Sequence, residues 1–294
     1  MKGCANVYHA AAMVSFWTPP DQRQEFYRVN VQGTKNIMAA ALAAGVDKVV
    51  YTSTISTIGS YGRENPTSEE FGFNLWEMCT DYERSKYSAE FEVWRYAARG
   101  LPVVAVLPAA PVGRRDVKPN PVGKLILDFL SRKLPGYIDG GGNFIDVDDV
   151  AYGHVLAAKK GRSGERYILG DLNISTPDLF KALERISGVS APKLKLPFSG
   201  ALGLAHLLKF ASDHITGRPP VFTPALVKVS SKCYYVDWTK ARTELGFQPR
   251  STVSGAVVKA IQWFLENGYV HLDDLKKKRI QSQIETLSPV ATSA

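Results

Sequence analysis

Two compact apolar runs constrain the fold of this chain more than any other feature. Asp47 to Ser53 (DKVVYTS) and Leu101 to Leu107 (LPVVAVL) carry no polar/apolar alternation. Each must therefore be buried on both faces, as strands of a parallel sheet are. Helices to cover those faces lie where such a sheet needs them. From about Asp21 to Ala44, Phe26, Asn30, Gly33, Ile37, Met38, Ala41 and Ala44 recur at spacings of three and four, and Gly45 ends the segment as a C-cap. A second helix is predicted from about Thr80 to Ala98, stopping near Gly100. A shorter strand opens at Asn6-Val7-Tyr8-His9 and stops at the small residues Ala10, Ala11 and Ala12. Strand, helix, strand, helix, strand predicts an α/β fold with right-handed crossovers.

After Gly113 the pattern loosens. Helices are predicted at Lys124–Arg132, at Val150–Lys159 with Asp148-Asp149 as cap, at Pro177–Ile186 and at Val253–Asn267. Short strands are predicted at Phe144–Val147 and Glu165–Leu169, and Gly140-Gly141-Gly142 reads as a turn. Residues 191–250 are mixed, and the polar stretch beyond Leu272 is expected to fray. A chain of 294 residues suits one large domain or two ordinary ones, and 45% hydrophobic with 22% charged residues excludes disordered, collagenous and coiled-coil classes. Cys4, Cys79 and Cys233 make neither a disulfide framework nor a zinc cluster, so a reducing, cytoplasmic setting is expected. No apolar run reaches the ~18–20 residues of a membrane span, and the start lacks a signal-peptide pattern. The net charge of +8 is dispersed except at Lys276-Lys277-Lys278-Arg279, which reads as a solvated helix end. No nucleic-acid partner is expected; a small anionic ligand such as a nucleotide fits the charge equally well.

Chemistry concentrates in Tyr82-Glu83-Arg84-Ser85-Lys86. Tyr82 and Lys86 are four apart on a helix and share a face with Ala89, Val93 and Ala97. An ammonium beside a phenol favours the phenolate and lowers its pKa, which makes a general acid/base nearer neutrality. The bland alternative is a core tyrosine with its lysine snorkelling outward. Thr52, Ser53 and Thr54 lie at the carboxyl end of an apolar parallel strand, where open α/β sheets bind ligands. The small residues after His9 let a flat ligand approach, and Asn30, on the apolar stripe of its helix, must find a hydrogen-bond partner.

Together, YHAAA (8–12), VNVQGT (29–34), KVVYTSTIS (48–56), YERSK (82–86), LPVVAVLPAAPVG (101–113), FIDVDDVA (144–151) and DWTKARTELGFQP (237–249) resemble the extended short-chain dehydrogenase/reductases, the NAD-dependent epimerase/dehydratases. WTPPDQRQEFYRVNVQGT (17–34) and LPAAPVGRRDVKPNPVGK (107–124) are most similar to the hopanoid-associated sugar epimerase and dihydroflavonol 4-reductase-like branch. The resemblance runs from residue 1 to about residue 270.

The resemblance implies a Rossmann-type parallel sheet, N-terminally truncated, with a smaller C-terminal α/β substrate-binding subdomain. The cofactor domain would take 1–113 and 144–171, the substrate subdomain 114–143 and 172–271, and 272–294 would be a flexible tail. It implies NAD or NADP as cofactor and a small-molecule substrate. Tyr82 would be the catalytic acid/base, Lys86 would lower its pKa and hold the nicotinamide ribose, and Thr54, or Ser53 in its place, would orient the substrate. His9, Ala10, Ala11, Ala12, Asn30, Thr52 and Pro108 would line the cofactor, and Arg114, Arg115 and Lys118 are candidate substrate contacts. The family's glycine-rich strand–turn–helix does not occur before His9, and Leu107 stands where relatives often carry Asn. Weak or absent NAD(P) binding by this chain is the expectation that follows. Two reactions compete, sugar-nucleotide epimerisation or dehydration and NADPH-dependent ketone or aldehyde reduction. The rival of another class is a non-catalytic remnant that binds a partner. Helices 21–44 and 80–98 would form a homodimer contact, the latter offering a second apolar face at Tyr87, Phe91, Trp94 and Ala98.

Overall fold

The computed structural model describes residues 1–15, 22–72, 80–213 and 223–287. Trp17 to Asp21, Cys79, residues 214–222 of the expected substrate region and the tail 288–294 lie outside the described residues. The chain begins with β1 (Asn6–His9), α1 (Arg23–Phe26), a π-helical turn (Tyr27–Gln32), α2 (Gly33–Ala44) and β2 (Lys48–Thr52). A 3-10 turn (Ile55–Thr57), α3 (Asp81–Ala97), β3 (Val103–Pro108), β4 (Ala110–Val112) and α4 (Pro121–Leu130) follow. Then come β5 (Gly141–Asp146), α5 (Val147–Lys160), β6 (Arg166–Leu169), β7 (Leu172–Ser175) and α6 (Thr176–Ser187). The C-terminal part consists of α7 (Phe198–Ala211), α8 (Pro224–Ser230), β8 (Cys233–Tyr234), a second π-helical turn (Ala241–Leu245), α9 (Val253–Glu266) and α10 (Asp274–Leu287).

The expected parallel sheet is present, in the order β1-β2-β3-β6. Val49, Val50 and Tyr51 of β2 and Val103 to Leu107 of β3 are fully buried, which is why neither run alternates. Each such Val or Leu contributes roughly 1.5–3 kcal/mol through burial. Met38 and Ala41 of α2, Ala89 and Val93 of α3, and Leu156 and Ala157 of α5 share this core. A capping box starts α3: Thr80 accepts from the Glu83 amide while the Glu83 carboxylate accepts from the Thr80 amide. Gly45 ends α2 at φ +63°, the left-handed C-cap expected from the sequence.

Several expectations are corrected. The 21–44 helix contains a π-helical turn, which no apolar spacing signals. Asp146, not Asp148-Asp149, caps α5; its side chain accepts from the Asp148 amide. Gly141 and Gly142 are strand residues pairing with β7 and β8 rather than a turn. A Cβ on Gly140 would meet the Ser230 carbonyl at 2.1 Å, so three backbones converge where only glycine fits. β5 therefore belongs to a second sheet with β4, β7 and β8, and residues 144–146 do not join the parallel sheet. The stretch after Leu272 is the helix α10, whose Ile280 is buried against α6 and α9 and whose Arg279 donates to the Arg185 carbonyl. Lys276 and Lys277 pair with Asp273 and Asp274, consistent with a solvated helix end. Among the described residues no helix is long and apolar enough to cross a membrane.

Candidate active site

The carboxyl ends of β1, β2 and β3 lie side by side, with His9 opposite Tyr51 and Thr52 opposite Val106. Helix α3 crosses beside them and brings Tyr82 to this edge. The Thr54 side chain lies close enough to the Tyr82 phenol to favour its ionised form, so the expected phenol and hydroxyl share this edge. Thr54 also caps the 3-10 turn, accepting from the Ser56 amide at 3.3 Å.

Lys86 is 3% exposed. Its Nζ donates to the Tyr51 hydroxyl at 2.9 Å and to the Thr52 carbonyl at 2.8 Å, and stands 4.4 Å from the centre of the Tyr51 ring. Burial pulls this ammonium down to about 8, opposed by the nearby Glu90 carboxylate. Burial pushes Tyr82 up to about 12; the Thr54 side chain works against this and the Glu83 charge adds to it. The ammonium is committed to Tyr51 and the strand, and the phenol stays protonated.

Ser53 is buried. Its hydroxyl donates to Glu90, which also accepts from Thr57 Oγ1 at 2.8 Å and faces Arg166 at 3.7 Å. Thr52 sends its hydroxyl to His154 Nε2 at 2.7 Å, and His154 Nδ1 lies 2.7 Å from the Val150 carbonyl. His9 is buried, 2.9 Å from Thr34 Oγ1; burial, with Lys86 nearby, holds it down to about 4, so the ring is neutral. Asn30 is buried in the π-helical turn. It accepts from the Met13 amide at 2.7 Å and donates to the Met13 carbonyl at 3.0 Å and to Ser85 Oγ at 2.9 Å. It thereby ties the loop after β1 to α3, which satisfies its polar groups.

Ala10, Ala11 and Ala12 are exposed at the end of β1, and Pro108 is buried at the end of β3. Arg114 pairs with Asp148 at 3.3 Å, Asp148 also faces Lys259 at 3.6 Å, and Arg115 and Lys118 are exposed. Sequence reasoning missed Tyr51, Glu90, Thr34 and His154. Glu90 was recoverable, because it continues the four-residue ladder Tyr82–Lys86 along α3. Tyr51 and Thr34 carry no such signal, since their partners come from other elements.

A family model described as the NAD dependent epimerase/dehydratase family matches residues 1–170. A putative dihydroflavonol 4-reductase from Synechocystis is 39% identical over 92% of this chain and 79% of its own length. Sterol demethylase protein B from Methylococcus capsulatus is 35% identical over 92% of this chain and 81% of its own length. The crystal structure of a nucleoside-diphosphate-sugar epimerase from Pseudomonas aeruginosa superimposes with a TM-score of 0.74 at 25% identity, covering 92% of this chain and 79% of the other.

Proposed function

Because the chain belongs to the NAD dependent epimerase/dehydratase family, we propose that it reduces a carbonyl, or oxidises the matching secondary alcohol, on a small uncharged substrate in the cytoplasm. The observation that carries this reading is the grouping of Tyr82, Thr54 and the buried Lys86 at the carboxyl end of β2. Bound NAD(P) supplies the hydride chemistry of the family. The residues present fit its nicotinamide end. The exposed Ala10–Ala12 edge offers a flat approach free of long side chains. Lys86 has three N–H donors and the two bonds described use two of them, leaving one for a ribose hydroxyl.

Thr54 orients the substrate oxygen, and Tyr82 exchanges a proton with it. Held up at about 12, the phenol is a proton donor at neutral pH, which suits the oxygen of a carbonyl undergoing reduction. Arg114 and Lys259 favour an uncharged substrate over a nucleoside diphosphate sugar, because Asp148 already faces both cations. The names of the reductase and sterol relatives point the same way. The test supplies reduced nicotinamide with a ketone panel or with nucleoside diphosphate sugars. This reading predicts net cofactor consumption with a ketone. Sugar conversion without net consumption would replace it with epimerisation.

We also propose a homodimer through the outer faces of α2 and α3. Phe91 is 58% exposed and packs edge-to-face with Tyr87 at 5.1 Å, while Trp94 of the same face packs against the core, so Phe91 is the exposed apolar contact on this face. Light scattering of Phe91→Glu tests it: the dimer reading predicts monomers, and an unchanged mass rejects it.

A further inference from the structure

Three buried polar side chains stand near Lys86 with no part in the proton exchange: Tyr51 of β2, Thr34 of α2 and His9 of β1. Tyr51 is fully buried in a strand whose preceding residues, Val49 and Val50, are apolar. A hydroxyl in such a place costs free energy unless it is partnered, and phenylalanine would fill the same space without that cost. The Tyr51 hydroxyl finds its partner in Lys86, whose Nζ donates to it at 2.9 Å and stands 4.4 Å from the ring centre. One side chain thus holds the ammonium through both its oxygen and its ring.

Tyr51 is itself supported. The His9 and Tyr51 rings are 5.7 Å apart and tilted by 42°. The Thr34 side chain lies close enough to the Tyr51 phenol to favour its ionised form, and Thr34 Oγ1 is 2.9 Å from His9 Nε2. Burial, with the Glu90 charge, nevertheless holds the phenol well above its ordinary value, so it keeps its proton. An ammonium only donates, so the Tyr51 oxygen accepts from Lys86 and its own O–H is left for a neighbour. The Thr34 hydroxyl can accept there and donate in turn to Nε2 of the neutral His9 ring. Donors then run one way, from Lys86 toward His9, and each bond polarises the next. We propose that Tyr51 is a positioning residue: its hydroxyl, backed by Thr34 and His9, holds the Lys86 ammonium so that the remaining N–H meets a ribose hydroxyl of the cofactor. This rests on the reading of Lys86 as the group that holds the nicotinamide end. Glu90 on α3 and His9 on β1 also act on the Lys86 charge, with Tyr82 one turn away on α3, and replacement of Tyr51 leaves all three in place.

Tyr51→Phe, which removes one oxygen and keeps the ring, tests it in two readouts. In the free full chain carrying isotope-labelled lysine, the Lys86 side chain is titrated by NMR, its signal assigned by its absence from Lys86→Arg. The wild-type midpoint is expected at about 8. Loss of an acceptor for the ammonium is expected to lower it by about one pH unit. In the second readout, fluorescence titration with reduced nicotinamide dinucleotide, the Kd is expected to rise by about tenfold. Thr34→Val, of similar shape, is expected to move both quantities the same way and less far, and it decides the question where Tyr51→Phe does not fold by circular dichroism. An unchanged midpoint in the folded variant overturns the proposal. So does a lowered midpoint with an unchanged Kd, which would leave Tyr51 as a buried partner of the lysine alone, and so does a wild-type chain that binds no reduced nicotinamide. A chain that shows both expected changes yet turns over no ketone refutes the proton-exchange reading and leaves this proposal standing.

Discussion

Lys86 donates its 2.9 Å hydrogen bond to the hydroxyl of Tyr51, not to Tyr82. The lysine is thereby fastened to β2 through Tyr51 and the Thr52 carbonyl, and it sits one helical turn from each of Tyr82 and Glu90. Along α3 the ammonium therefore lies between the candidate phenol Tyr82 and the buried carboxylate of Glu90.

This arrangement should set the alkaline limit of the proposed activity. Lys86 is held to about 8 by burial, and Glu90 is the charge that keeps it from falling further. Activity that needs the ammonium should decline as pH rises through about 8. Glu90→Gln removes the opposing charge, so the midpoint of that decline should move to lower pH. A pH profile of kcat/KM for both proteins checks this; an unchanged midpoint would mean that Glu90 serves packing alone.

The hydroxyls of Ser53 and Thr54 should separate cleanly. Thr54 lies beside Tyr82, so Thr54→Val should lower kcat by about tenfold or more, and Thr54→Ser should restore most of it. Ser53 bonds Glu90 inside the fold, so Ser53→Ala should cost roughly 1 kcal/mol of stability with a smaller effect on turnover. Denaturant titration beside kinetics distinguishes the two.

His9 should contribute an acid-sensitive part of the stability. Its folded pKa, about 4, lies below its ordinary 6.5, so the unfolded chain binds the proton more readily. The contribution is fully present above pH 6.5 and is lost as pH falls through 6.5 toward 4. At its fullest it amounts to roughly 3 kcal/mol. His9→Gln should flatten that limb in chemical denaturation measured across the window.

Asp149 and Arg250 should be unequal partners. Asp149 is buried and accepts from the Arg250 guanidinium at 3.1 Å, the Arg250 amide at 3.0 Å and the Ser251 amide at 3.1 Å. Asp149→Ala leaves two amides without their acceptor and should cost about 2–4 kcal/mol. Arg250→Ala keeps both amide bonds, and more than half of its side chain is exposed, so it should cost no more than about 1 kcal/mol. Equal losses in denaturant midpoints would contradict this inequality.

Local rules read the parallel sheet and the α3 constellation well. Apolar runs such as KVVYT have one way to be buried, and Tyr82 and Lys86 share a face by helical geometry alone. What escaped depends on pairing between distant segments. Gly140 is a glycine because the Ser230 backbone reaches it, and no window around residue 140 contains that fact. Lys86 was expected to serve Tyr82, but Tyr51 and the Thr52 carbonyl, brought from another element, hold it instead. The polar end of the chain was expected to fray because one buried residue, Ile280, gives no periodicity to read. The role of Asn30 was half legible: its need for partners followed from its position, but their identity, Met13 and Ser85, did not.

Tyr82→Phe tests most directly whether Tyr82 exchanges the proton in a nicotinamide-dependent reaction. Reduced nicotinamide consumption with a ketone that the wild-type chain turns over is the quantity to measure, with thermal unfolding as the control for folding. The variant should unfold close to wild type and lose turnover by about 10²–10⁴-fold. A folded Tyr82→Phe chain that consumes cofactor at the wild-type rate would contradict the account.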